Sequence, residues 1–106
     1  MEKGIWLSYD FGVISDYEGF YTWLDSKNAI ECGGNTAFFK IPFSDDFIDN
    51  LKKEIEENVQ VDKKTRIYVT YQIEDAMKGE FIFGRRRPSS WTGYANFQEN
   101  EEEEDG

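Results

Sequence analysis

Residues 44–73, SDDFIDNLKKEIEENVQVDKKTRIYVTYQI, change their hydrophobic period part-way along. Up to Val59 the apolar residues Phe47, Ile48, Leu51, Ile55 and Val59 recur at helical spacing, while Lys52, Lys53, Glu54, Glu56 and Glu57 fall on the other side. That is one amphipathic helix. Ser44 is placed to cap it, with Asp45 and Asp46 in its first turn, where the helix dipole favours negative charge. From Thr65 the period falls to two: Ile67, Val69 and Tyr71 alternate with Arg66, Tyr68 and Thr70, as in a strand with one face on a core.

Working outward from this helix-to-strand switch, the same two periods recur. On the N-terminal side, residues 4–10, GIWLSYD, set Ile5, Leu7 and Tyr9 against Trp6, Ser8 and Asp10, a first strand. Ser15-Asp16-Tyr17-Glu18 reads as a capping box, so a helix runs from there to about Lys27 with Tyr17, Phe20, Tyr21 and Leu24 on one stripe. Gly19 within it costs about 1 kcal/mol relative to Ala, so either the helix starts loosely or something packs close there. Residues 29–41, AIECGGNTAFFKI, read as a hairpin around Gly33-Gly34-Asn35, residues that accept positive φ. Beyond Ile73, a loop containing Asp75 and Gly79 leads into a last strand, EFIFG.

The order is strand, helix, strand, strand, helix, strand, with one strand more. The expected fold is therefore α+β: a ferredoxin-like βαββαβ sandwich with an additional C-terminal strand, its antiparallel sheet carrying both helices on one face. At 106 residues the chain makes one domain, placed at 1–94. Residues 95–106 end in EEEEDG and read as a disordered acidic tail. Nine Phe, six Tyr and three Trp supply the core that scarce Leu and Val do not.

The absence of His removes imidazole acid–base chemistry, His-activated nucleophiles and imidazole metal ligands. A lone cysteine, Cys32, excludes an internal disulfide and a zinc site built from thiolates, and reads as a buried, inert thiol. Any catalysis must then use carboxylates, hydroxyls, Lys or Arg. No stretch approaches the roughly twenty apolar residues of a membrane span, and MEKG opens no signal peptide, so the expectation is a cytoplasmic protein without membrane contact. The formal net charge is −10; without the six acidic residues between Glu99 and Asp105 it is −4, which argues against non-specific nucleic-acid binding and leaves only a local basic patch.

Two phrases carry a resemblance. Ser8-Tyr9-Asp10 ends the first strand, and Val61-Asp62-Lys63-Lys64-Thr65-Arg66-Ile67-Tyr68 leads into the strand after the second helix. With the element order, these resemble the Cas-two-like superfamily of small ferredoxin-like proteins, which includes the CRISPR-adaptation subunits and the virulence-associated protein D toxins. The resemblance implies a homodimer in which Asp10 of each chain faces its mate. It also implies a metal-dependent endoribonuclease in which Asp10 is both the catalytic residue and the ligand of Mg²⁺ or Mn²⁺, with RNA as substrate. Such a hard cation takes oxygen ligands and acidifies bound water without any His. Asp16 would join Asp10 if the loop at 11–14 folded back.

Residues 79–94, GEFIFGRRRPSSWTGY, hold the other candidates. Arg85, Arg86 and Arg87 read as a nucleic-acid-binding run, their forks on phosphate and Trp91 or Tyr94 offering a stacking face. The acidic body favours two other readings over that one: charges guarding an exposed sheet edge, or a dock for the acidic tail of the same chain or of a dimer mate. Trp91 and Tyr94 are candidate interface aromatics. The alternative function is a non-catalytic module of a ferredoxin-like dimer that binds a protein partner through this segment and the tail.

Overall fold

A computed structural model describes residues 1–12 and 16–96. The elements run β1 (Glu2–Asp10), α1 (Tyr17–Ser26), β2 (Ile30–Glu31), β3 (Thr36–Pro42), α2 (Phe47–Asn58), β4 (Arg66–Ile73) and β5 (Ala76–Phe83). The protein is α+β, with five strands in one open sheet ordered β2-β3-β1-β4-β5 and every neighbouring pair antiparallel. The expected acidic tail falls mostly on residues 97–106, outside the described residues. No helix among the described residues is long and apolar enough to cross a membrane.

The alternation read in the sequence decides which face is covered. Ile5, Leu7 and Tyr9 of β1, Ala37, Phe39 and Ile41 of β3, Ile67, Val69 and Tyr71 of β4 and Ile82 of β5 join Phe20, Trp23 and Leu24 of α1 and Phe47, Leu51 and Ile55 of α2 in one buried cluster. Each large apolar side chain fully buried there contributes about 1.5–3 kcal/mol. The residues of opposite parity, among them Trp6, Ser8, Phe38, Tyr68, Thr70 and Phe81, lie on the other face, which neither helix covers.

Four local expectations change. Helix α1 is capped by Asp16, whose Oδ1 accepts from Gly19 N at 2.9 Å, while Ser15, the expected cap, lies outside the described residues. Helix α2 starts at Phe47 behind Asp46, so Ser44, Asp45 and Asp46 precede it, and Phe47 N reaches back to Ser44 O at 3.2 Å. The loop expected before the last strand is a tight turn at Glu74 and Asp75, and Gly79 sits inside β5 opposite Thr70. Cys32 is exposed in the β2–β3 hairpin rather than buried.

Candidate functional site

Three segments distant in sequence converge at one end of the sheet. The antiparallel register of β1 and β4 sets Asp10 opposite Arg66. Just before Arg66, residues 62–65 form a locked turn. Asp62 Oδ1 accepts from Lys64 N at 2.8 Å, Thr65 Oγ1 accepts from Asp62 N at 3.1 Å, and Thr65 N donates to Asp62 O at 3.2 Å. Thr65 is the one buried polar side chain among the described residues, so the turn is anchored in the core rather than only at the surface. Its effect is to hold Lys63 and Lys64 beside the end of β1, with the Lys64 stem packed over Gly12.

The third segment follows β5. Gly84 adopts φ +80°, a left-handed conformation that other residues resist, and a Cβ there would meet Thr65 O at 2.9 Å and Arg66 Cγ at 2.8 Å. The chain therefore leaves the sheet edge at Gly84 and turns back against Arg66. Arg85, Arg86 and Arg87 lie beyond β5, so they do not guard its edge. Arg87 Nη2 donates to Asp10 Oδ2 at 2.8 Å, Arg66 Nη2 donates to the same oxygen at 3.2 Å, and Arg66 Nη1 donates to Arg85 O at 3.2 Å.

The result is a cleft of about 700 Å³ whose charged lining is Asp10 against Lys63, Lys64, Arg66, Arg85 and Arg87. Five cations face one carboxylate, an excess of four positive charges in a chain whose sum is −10. Asp10 is half exposed, and one of its oxygens already receives two guanidinium groups. It thereby draws Arg66 and Arg87 together on one oxygen at the cleft.

The donor set fits a divalent cation poorly. A Mg²⁺ or Mn²⁺ at Asp10 would enter a field already made positive by five cations, and could take Oδ2 only by displacing a guanidinium. Asp16 does not join Asp10. Its Oδ1 caps α1 and its Oδ2 accepts from Gln60 N at 3.0 Å; these two backbone amides, Gln60 first, hold its carboxyl below the usual carboxylate range. Among the described residues no three acidic or cysteine side chains gather in a metal-holding group.

A second cleft of about 710 Å³ adjoins the first on the open face of the sheet and shares Arg66 and Arg87 with it. Its floor is Tyr68 and Phe81, cross-strand partners with ring centroids 4.9 Å apart and edge-to-face. The guanidinium of Arg86 stands 5.9 Å from the Tyr68 ring centre and 5.8 Å from that of Phe81, within cation–π range. Trp91 forms part of the rim and is 75% exposed. Tyr94 is exposed too but lies outside this lining.

Of the residues picked out in the sequence, Asp10, Arg85 and Arg87 come together in the first cleft, and Arg86 and Trp91 line the adjoining one. Lys63, Lys64, Arg66 and Tyr68 entered the sequence reading only as part of the phrase that carries the resemblance and of a strand, and Phe81 only as part of the last strand, none of them as a site residue. A partial signal existed: Arg66 and Tyr68 have the parity opposite to Ile67 and Val69, which sends them to the uncovered face. Comparison with family models, with curated proteins and with solved structures gives no match.

Proposed function

We propose that this protein binds the phosphodiester backbone of a polynucleotide in the cleft around Asp10, and that it does so without needing catalysis. The observation that carries the reading is the convergence of Lys63, Lys64, Arg66, Arg85 and Arg87 on one cleft in an otherwise acidic chain. Evenly solvated surface charge does not collect cations in this way, and phosphate contacts are what clustered Arg and Lys provide. We further read the strand order β2-β3-β1-β4 as the ferredoxin-like arrangement with β5 added at one edge, and the chain as Cas-two-like, on the strength of that order and of the Ser8-Tyr9-Asp10 phrase.

The test is fluorescence anisotropy of a labelled single-stranded RNA across a salt titration. Four excess positive charges at about 0.7 per neutralised phosphate give an expected log–log slope near about −3. Arg87→Glu weakens binding and flattens the slope, whereas Lys53→Glu, on the exposed side of α2, leaves both nearly unchanged. Binding insensitive to salt, or equally weakened by both variants, overturns the reading.

A second reading is the metal-dependent endoribonuclease centred on Asp10, favoured by its half-exposed carboxylate on the wall of a cleft. It requires further oxygen ligands from a second copy, which accords with a homodimer. The two readings part on Asp10→Asn: if Asp10 orients arginines, the variant binds RNA more weakly because Arg66 and Arg87 lose the carboxylate that holds them together, and neither protein cleaves; if it holds metal, Mg²⁺- or Mn²⁺-dependent cleavage by the wild type is abolished.

A further inference from the structure

The uncovered face of the sheet carries aromatic rings that the core does not use. Phe38 leans across Gly4, where a Cβ would approach its ring to 2.6 Å, and Tyr68 leans across Gly79, where a Cβ would lie 2.3 Å from Oη and 2.6 Å from Cζ. Each glycine thus makes room for a ring to lie down along the sheet. Trp6 packs on Phe38 at 4.9 Å between centroids and is partly exposed. Tyr68, the ring nearest the cationic cleft, pairs with Phe81 and is flanked by Arg86 and Trp91.

We infer that the cleft floored by Tyr68 and Phe81 and rimmed by Arg86 and Trp91 takes unpaired nucleobases, so that the polynucleotide recognised is single-stranded. This rests on the backbone-binding reading above. The argument is one of adjacency and charge. Arg66 and Arg87 belong to both clefts, so a strand whose phosphates meet them has its bases beside Tyr68 and Phe81. Aromatic rings and guanidinium planes are the groups on which splayed bases stack, while paired bases in a duplex keep their faces covered. Cations around a π-lined hollow suit a ligand with both negative charge and flat rings. An uncharged protein segment would meet the rings and leave the arginines without partners.

The experiment uses the full chain and three labelled probes of equal length: a twelve-nucleotide oligoadenylate RNA, an abasic strand with the same number of phosphates, and a blunt RNA duplex. Oligoadenylate is expected to bind about fivefold or more tighter than the abasic strand, since stacking of one base on an aromatic ring corresponds to at least that factor. Tyr68→Leu and Trp91→Ala remove this advantage and leave abasic binding unchanged. Trp91 is exposed enough that its replacement does not endanger the fold, which keeps the test meaningful should Tyr68→Leu unfold.

Equal binding of oligoadenylate and abasic strand overturns the stacking inference and leaves the backbone reading standing. Duplex bound as tightly as oligoadenylate overturns it likewise. No binding of any probe overturns the backbone reading itself. Should the platform instead be covered by a second copy of the chain, Trp91→Ala will dissociate a dimer in sedimentation velocity while oligoadenylate shows no advantage, and the inference fails.

Discussion

Gly19 is where residue-level propensity and residue-level geometry disagree. Replacing a helical glycine by alanine ordinarily stabilises a helix by about 1 kcal/mol. Here a Cβ at position 19 would lie 2.2 Å from Asp16 Oδ2 and 2.9 Å from Oδ1, so the carboxylate must swing away. It then gives up both the Gly19 amide of the cap and the Gln60 amide that ties the start of α1 to the end of α2. Gly19→Ala is therefore expected to lower the urea midpoint, against the sign of the propensity scale; a raised midpoint would show that the Asp16 bonds do not stabilise the fold. The pH dependence follows from the same residue. Its folded-state pKa lies below the ordinary value, so its contribution is present above about pH 4, the unfolded carboxyl value, and is lost as pH falls through the lower folded one. The midpoint difference between wild type and Asp16→Asn should accordingly narrow in acid, and a difference that persists unchanged to acid pH would assign it to something other than the charge.

At the scale of elements, the segment after β5 is held by one backbone feature. Gly84 turns left-handed against Thr65 and Arg66, and the arginine run is aimed by that turn. Gly84→Ala combines positive-φ strain with contact on a carbonyl oxygen, so it should move Arg85–Arg87 out of the cleft. RNA affinity is then expected to fall at least tenfold while the core, and the thermal midpoint with it, changes by only a few degrees. Equal affinity in Gly84→Ala would mean that the arginines find phosphate without the turn. This element also marks what was legible in the sequence. The periods of residues 4–10, 47–59 and 65–73 located strands, helix and covered face, because burial on one side writes itself into alternation. The convergence of Asp10, Arg66 and Arg87 was not legible, because it depends on the β1–β4 register and on the turn at Gly84, neither of which leaves a periodic trace. Gly79 misled for a related reason: a glycine that admits the Tyr68 ring inside a strand looks the same in sequence as a glycine in a loop.

For the whole molecule the decisive quantity is the contrast between a local excess of positive charge and a global excess of negative charge. Six of the chain's 12 cationic side chains, Lys63, Lys64, Arg66 and Arg85–Arg87, line the two clefts, and six of its 22 acidic side chains fall between Glu99 and Asp105. The acidic run begins twelve residues after Arg87, so the same short chain joins the cationic clefts to a polyanion of its own. Truncation after Phe97 shifts the formal charge from −10 to −4 and leaves every cleft residue in place. At low salt it should strengthen RNA binding several-fold, through both a faster encounter and the loss of a competing anion, and the gain should shrink as the Debye length falls from about 10 Å at 0.1 M salt to about 3 Å at 1 M. Sedimentation equilibrium of the same two proteins reads the assembly at once: the expected homodimer weighs twice the 12.5 kDa chain, and truncation should not dissociate it if β5, one of the sheet's two edges, forms the seam. A truncated protein that falls to monomer would place the seam in the tail. One whose affinity is unchanged at low salt would show that the tail and the clefts do not compete.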